Sequence, residues 1–418
     1  MSRLTSNRTF LSLLTGRLVT NAGDSVYYIT SMWLVYELTG SAFYSGVAAF
    51  LVKAPSAVGF LFGPIVDRVD IRRLLTATQV VQGVVICLLA VVALRGALTV
   101  WLLLIVMPVL SVVNKFVSPA ESAVLPRVVD DDQLVRANSL LTTSYQGMEI
   151  LFNAVAGVML TVVSVSTIFF LDAVTFAVAA LCFLRVYVPD EPNPTDGDET
   201  TTSVASSTIE QYTSDLREGI EYLRGSVLVP MVGGAMVANL GSGAVIAALP
   251  AFADALGGAG TYGFLIAALG AGGLVGALSA SLLENRRYGV VATVGFVLSA
   301  GTLFVAATIS AVLPTILFVF LTAIPIGVYN IMLSSMIQSS VDNDMLGRVS
   351  SLVSSATLVT MPIGNLLGGA VAELSGPTTM MYVLSVILAL FALYYLLHPR
   401  LRALPPVNEV NKAALGLA

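Results

Sequence analysis

The residues with chemistry to offer in this sequence are ionisable side chains set inside long apolar runs. Asp24, Lys53, Lys115, Glu149 and Asp172 fall within such runs, and Arg17 lies near the start of the first. A charge at the centre of a bilayer costs about 2.5–3.5 kcal/mol on insertion scales, so it persists where it faces a cavity or a partner. Arg17, Asn21, Asp24 and Tyr28 recur at i, i+4, i+7 and i+11, which holds them on one helical face. Thr142, Gln146, Glu149 and Asn153 repeat that spacing, and Ser111, Lys115, Ser118 and Ser122 form a third stripe. Three polar stripes predict the wall of an aqueous path. A carboxyl on such a wall can exchange a proton if a cationic neighbour approaches in one conformation and withdraws in another. Asp24 and Glu149 are the candidates for that exchange, with Asp172, nearer the outer end of its run, as a third. The competing reading is that Asp24–Lys53 and Glu149–Lys115 (or Glu149–Arg17) are fixed ion pairs that orient helices.

The elements that must position these groups follow from solvent. Of 418 residues, 56% are hydrophobic and 11% charged, with mean hydropathy +0.89. Soluble domains carry about 25% charged residues. The apolar runs are long enough to span a hydrocarbon core of about 30 Å, and they do not alternate as barrel strands do. Spans are expected near 10–36, 41–63, 74–94, 97–119, 138–162, 165–187, 227–251, 261–283, 289–310, 313–337, 349–372 and 377–397. The expectation is an all-α membrane protein with twelve transmembrane helices in two pseudo-symmetric six-helix bundles. Cys87 and Cys182 carry no metal or redox spacing and read as small buried residues. His398, the one histidine, reads as a surface residue at the end of the last span.

Orientation follows from the basic residues. With these spans, sixteen Arg and Lys residues fall on one side and only Arg95 on the other, so the rich side and both termini are expected in the cytoplasm. The chain lacks a cleavable signal pattern, and its acidic, Lys-poor loops suit a high-salt cytoplasm such as that of a halophilic prokaryote. Residues 1–188 make the first bundle, 189–225 a cytoplasmic linker, 226–398 the second bundle and 399–418 a cytoplasmic tail. Within the linker, Ile209, Tyr212, Leu216, Ile220 and Leu223 share one helical face. That face suits either the membrane surface or the cytoplasmic loops.

The bundles read as copies. Residues 129–140, VDDDQLVRANSL, match residues 341–352, VDNDMLGRVSSL, at seven of twelve positions without a gap. At the same offset Asn153 meets Asn365 and Gly157 meets Gly369. Each segment leads into the fifth helix of its half, and an even number of spans per half gives a parallel repeat.

The two halves, the long central loop and the stretch GPIVDRVDIRR at Gly63–Arg73 resemble the major facilitator superfamily. Gly23-Asp24, Trp33-Leu34-Val35-Tyr36, Ser118-Pro119-Ala120, Leu125-Pro126-Arg127 and Ala137-Asn138-Ser139-Leu140 are most similar to its macrolide-efflux and siderophore-exporter branch. Drug–proton antiporters of the superfamily carry Gly-Pro in the fifth helix, where this chain has Phe152-Asn153. Gly63, Asp67, Arg68, Arg72 and Arg73, with Arg136 and Arg348 of the repeated segments, are expected to form a cytoplasmic gate whose charges pair in one state and part in the other.

The second half has no ionisable residue away from the ends of its spans. Asn239, Asn330, Gln338 and Asn365 are its candidates for a weakly polar substrate wall. No nucleotide loop, dinucleotide fingerprint, metal spacing or nucleophile elbow occurs, so an enzyme, a cofactor, a metal and an ATP-driven pump are not expected. Nucleic acid is excluded as a partner by so apolar and acidic a chain. The expected partners are a small-molecule substrate and the lipid bilayer, and the chain is expected to act as a monomer. The function expected is an ion-coupled, proton-driven exporter of amphipathic organic molecules working by alternating access. Inward proton movement supplies about 2.3 kcal/mol per 100 mV. The alternatives are an importer or facilitator of the same fold, and a non-transporting receptor or assembly partner.

Overall fold

A backbone without water must satisfy every N–H and C=O within its own segment, and a helix does so. The structure, a computed structural model, describes residues 7–56, 69–186, 217–410 and 412–416, with Leu4, Val66 and Ser214. Among the described residues there are helices and turns and no strand. The helices are α1 (Arg8–Thr39), α2 (Ala42–Lys53), α3 (Ile71–Leu94), α4 (Val100–Asn114), α5 (Val117–Val128), α6 (Leu134–Val162) and α7 (Val165–Phe183). They continue as α8 (Leu228–Leu256), α9 (Ala259–Ser279), α10 (Tyr288–Thr308), α11 (Val312–Ser340), α12 (Asn343–Ser375) and α13 (Pro377–Leu397).

Among the described residues ten segments are long and apolar enough to cross a bilayer, with α4 and α5 together making one of them. α1, though 32 residues long, is not among the ten because its polar stripe lowers its hydropathy. The second expected span is described only to Ser56. The outward faces are apolar: Trp101 is 64% exposed, Leu313 79% and Leu374 86%. A soluble monomer rarely leaves such surface bare; apolar surface of this extent suits a lipid environment. Cys87, expected to be buried, lies on such an exposed face, and Cys182 is half-buried.

The chain divides into two compact units, Met1–Thr39 with Leu51–Thr208, and Gly40–Phe50 with Ile209–Ala418. In the first, α1 packs on α6 and α7, and α3 on α7. In the second, α8 packs on α12 and α13, and α10 on α13. The pairings are the same in order, as a duplication requires. The first part of α2 sorts with the second unit, where Ser41 Oγ donates to Glu373 Oε2 at 2.9 Å.

Without a hydrophobic drive between helices in lipid, close approach of backbones supplies the packing. Gly364 and Gly368 of α12 lie against the backbone of Leu240 and Ala244 of α8, where a Cβ would collide with main-chain atoms. The second unit also carries a buried aromatic cluster of Tyr288, Phe296, Tyr329, Phe391 and Tyr395, with the Tyr329 and Tyr395 hydroxyls 3.1 Å apart.

The described end of the linker and the described tail are packed. Of the linker's apolar face, Ile209, Tyr212 and Leu216 lie outside the described residues, Leu223 is buried and Ile220 exposed. Glu218 pairs with Arg348 at 3.1 Å, and Tyr222 donates to Asp342 Oδ2 at 3.1 Å. The helix at 217–223 therefore docks on the segment that opens α12. In the tail Leu401, Leu404 and Leu415 are buried, and Lys412 pairs with Asp342. Asp342 is held below the usual carboxylate range, first by the hydrogen bond from Lys412 and then by that from Tyr222, and Lys412 is correspondingly raised. His398 accepts from the Leu401 amide through Nδ1 and caps the short helix at Pro399–Arg402.

Candidate functional site

The polar stripes meet inside the first unit. Asn21, Asp24 and Tyr28 of α1, Lys53 of α2, Ser111 and Asn114 of α4, Lys115 at its C-cap, and Glu149 and Asn153 of α6 line one cavity of about 270 Å³. Pro108 sits inside α4, and Gln82 of α3 also lines the cavity. Asp24 Oδ2 accepts from Asn114 Nδ2 at 2.6 Å, and Ser111 Oγ donates to the Val52 carbonyl at 2.6 Å. Two carboxyls and two ammonium groups thus share one cavity. Such a site can bind a polar or charged group and can pass a proton between carboxyls as its hydration changes.

A second cavity, about 310 Å³, continues from Asn21 and Asn114. Arg17 of α1, Ser118, Glu121 and Ser122 of α5, and Asn138, Thr142 and Tyr145 of α6 line it. Each stripe therefore runs through both cavities, with Gln146 outside the lining of either.

The fixed-pair reading is corrected. Among the described residues no ion pair joins Asp24 to Lys53 or Glu149 to Lys115, and the partner of Arg17 is Glu121, at 3.0 Å. Sequence reasoning missed Glu121 because the fourth span was drawn to end at 119, whereas the helical segment runs on to Val128. Its place after Asn114 and Ser118, at i+7 and i+3, was the available signal. Asp172 lies apart from the cavities: it is 2% exposed against Gly23, accepts from Thr175 Oγ1 at 3.2 Å, and leaves Oδ2 without a partner.

Of the expected gate, Gly63, Asp67 and Arg68 lie outside the described residues. Arg72 donates to the Leu184 carbonyl, and Arg73 pairs with Asp70, which caps α3 through the Arg73 amide. Arg136 is exposed, and Arg348 holds Glu218.

The second unit has its own cavity, about 330 Å³, lined by Asn239, Asn330, Ser334, Gln338, Ser350, Ser354 and Thr357 with Ala235, Leu333, Ile337 and Val353. It is free of charge, as expected, yet richer in amides and hydroxyls than a weakly polar wall. Asn365 does not reach it; it is 1% exposed, packed near Gly243, with neither end of its amide hydrogen-bonded.

The Major Facilitator Superfamily profile matches residues 13–357 and 231–417, nearly the whole chain. The chain belongs to the Major Facilitator Superfamily. It is a multi-pass membrane transporter of that superfamily and not an enzyme. It is 24% identical to macrolide efflux protein A of Streptococcus pyogenes over 97% of both chains. It is 26% identical to macrolide efflux protein A of Enterococcus faecalis over 75% of this chain and 98% of that one. Among solved structures the nucleoside transporter NupG matches with TM-score 0.72 and 10% identity, covering 93% of this chain and 99% of NupG. A bacterial homolog of the human lysosomal transporter Spinster, inward-facing and occupied, matches with TM-score 0.71 and 12% identity over 95% and 97%. These two likenesses concern the fold.

Proposed function

We propose that this superfamily member is a proton-coupled exporter of amphipathic organic molecules, resident in the cell membrane with both termini in the cytoplasm. Its fold is taken as twelve helices in two six-helix bundles: the ten apolar segments, α1, and the second span that begins with α2. The observation that carries the reading is the cavity holding Asp24, Glu149, Lys53 and Lys115 in one unit, where the other unit has an uncharged cavity. Asp24 and Glu149 take and release the proton. Lys53 and Lys115 supply the cationic neighbours that decide which carboxyl is charged. The uncharged cavity of the second unit holds the cargo by its amides, hydroxyls and apolar side chains. Arg72, Arg73, Arg136 and Arg348 act at the cytoplasmic gate. The transporter works as a monomer, draws on the ion gradient and uses no cofactor.

Export is favoured by the efflux activity named for the two bacterial relatives. The test is uptake of a radiolabelled macrolide into energised inverted vesicles. Accumulation should collapse with an uncoupler and in Asp24→Asn. Accumulation indifferent to both would end the proton-coupled reading.

A second reading has one observation in its favour. The amide- and hydroxyl-rich lining of the second unit suits a hydroxyl-rich solute moved inward or equilibrated. Downhill uptake of such a solute by right-side-out vesicles, with no macrolide extrusion, would select it.

A further inference from the structure

The second and third cavities occupy equivalent places in their units. Asn138, Leu141, Thr142 and Tyr145 of α6 stand at one constant spacing from Ser350, Val353, Ser354 and Thr357 of α12. Asn114, Ser118, Glu121 and Ser122 stand at another from Asn330, Ser334, Ile337 and Gln338 of α11. Arg17 and Asn21 correspond likewise to Ala235 and Asn239 of α8. The two linings differ most at one place: where the first unit has Arg17 and Glu121, the second has Ala235 and Ile337. A six-helix unit of this design is therefore built without the ion pair, and the pair is not a requirement of the packing.

The pair is also incomplete. Arg17 and Glu121 are 12% and 17% exposed, with Nε 3.0 Å from Oε2. Even so, Nε and Nη1 are both buried with no aligned hydrogen-bond acceptor. A guanidinium satisfies a carboxylate best through two parallel N–H···O bonds. Here Nε approaches one oxygen without lining up on it and Nη1 is unmet, in a cavity otherwise lined by neutral Asn, Ser, Thr, Tyr and Leu side chains.

We propose that Arg17 is a binding site for a carboxylate group on an organic ligand, and that Glu121 is the resident carboxylate it displaces. The exchange balances with one proton. Arg17⁺·Glu121⁻ takes up RCOO⁻ and H⁺, the new carboxylate pairs with the fork, and Glu121 withdraws as the neutral acid. The charged groups around Glu121 permit this. Arg17 from α1 and Tyr145 from α6 face it. From α3, Arg72 and Arg73 are engaged by the Leu184 carbonyl and Asp70. Lys115 at the α4 C-cap lines the first cavity, and Arg127 sits in the last turn of α5 itself. The proposal deepens the transport reading by naming a chemical feature of the ligand, and it rests on the first unit's cavity being accessible in that reading.

The experiment is calorimetric titration of the purified full chain with benzoate, and with benzamide as its neutral twin, between pH 6 and 8. Wild type should bind benzoate and not benzamide, with one proton taken up per benzoate, measured from buffers of different ionisation enthalpy. Affinity should then rise about tenfold for each pH unit lowered, the consequence of a single linked proton. Glu121→Gln should bind benzoate without pH dependence and tighter than wild type at pH 8. The double variant Arg17→Gln/Glu121→Gln leaves no charge in the lining of this cavity and imitates its uncharged counterpart in the second unit; it should keep its thermal stability and lose benzoate. Benzoate binding that survives in the double variant, or is absent from a folded Glu121→Gln, overturns the proposal. Macrolide accumulation is read separately: benzoate binding without efflux would sink the export reading alone, and efflux without benzoate binding the carboxylate site alone.

Discussion

Asn114 donates its amide to Asp24 at 2.6 Å, so α4 holds the one carboxyl that the α1 stripe brings into the first cavity. The contact leaves the second Asp24 oxygen for a proton, a lysine or water. It ties the orientation of the acid to the position of α4 rather than to a fixed cation.

Replacing Asp24 by Asn should uncouple the transporter rather than unfold it, because an amide can keep a hydrogen bond to Asn114. Uphill accumulation in inverted vesicles should fall at least about tenfold, the scale of an ordinary coupling free energy. Downhill exchange of the same cargo should persist. Loss of both together would mean that Asp24 shapes the cavity and does not couple.

Cargo preference should move with the second unit. Gln338→Leu and Asn330→Leu each remove a hydrogen-bonding group from the uncharged cavity. For a cargo that uses the group, binding should weaken about threefold to tenfold, the worth of one ordinary hydrogen bond. Proton dependence should be unchanged. The readout is the ratio of efflux rates for a hydroxyl-rich and an apolar cargo in the same vesicles.

Gly368→Val should lower thermal stability in detergent. Even its Cβ meets the Ala244 backbone, and overpacking of this kind costs about 1–3 kcal/mol. Gly147→Ala, with open space around it, should be neutral or stabilising by up to about 1 kcal/mol from helix propensity. Equal effects at both positions would remove the argument for backbone approach between α8 and α12.

The tie between Asp342 and Lys412 should have a pH window. Asp342 has a lowered folded value, so its contribution is complete above the unfolded value of about 4 and is lost as the pH falls further. Lys412 has a raised value, so its contribution is complete below about 10.5 and is lost as the pH rises beyond it. Hydrogen exchange of the tail amides near Leu415 should therefore be slow across neutral pH relative to the intrinsic rate. Below pH 4 it should lose protection earlier than α12 does. Lys412→Met should show the weaker protection already at neutral pH.

The fold was legible because solvent dictates it: apolar runs of bilayer length must be helices, and the VDDDQL and VDNDML segments exposed the repeat. The cavity walls were legible for the same geometric reason, since residues at i, i+4 and i+7 share a face wherever the helix goes. Pairing was not. Whether Arg17 meets Glu149 or Glu121 depends on how deep each helix sits against its neighbour, which spacing along one chain does not encode. Asn365 shows the limit from the other side. It repeats Asn153 in sequence, yet Asn153 lines the first cavity while Asn365 is packed near Gly243. The packed tail was illegible too, because its few leucines are too short a pattern to distinguish from a loose end.

The matched cavities give the molecule an internal control. One helical frame is present twice in a single chain, once with a cation and an anion facing inward and once with a methyl and an isoleucine in their places. Differences in hydration, ion occupancy or solute dwell time between the two chambers can be measured on one sample, in one membrane, under one potential. Any such difference reports chiefly on what two side chains add to a shared scaffold.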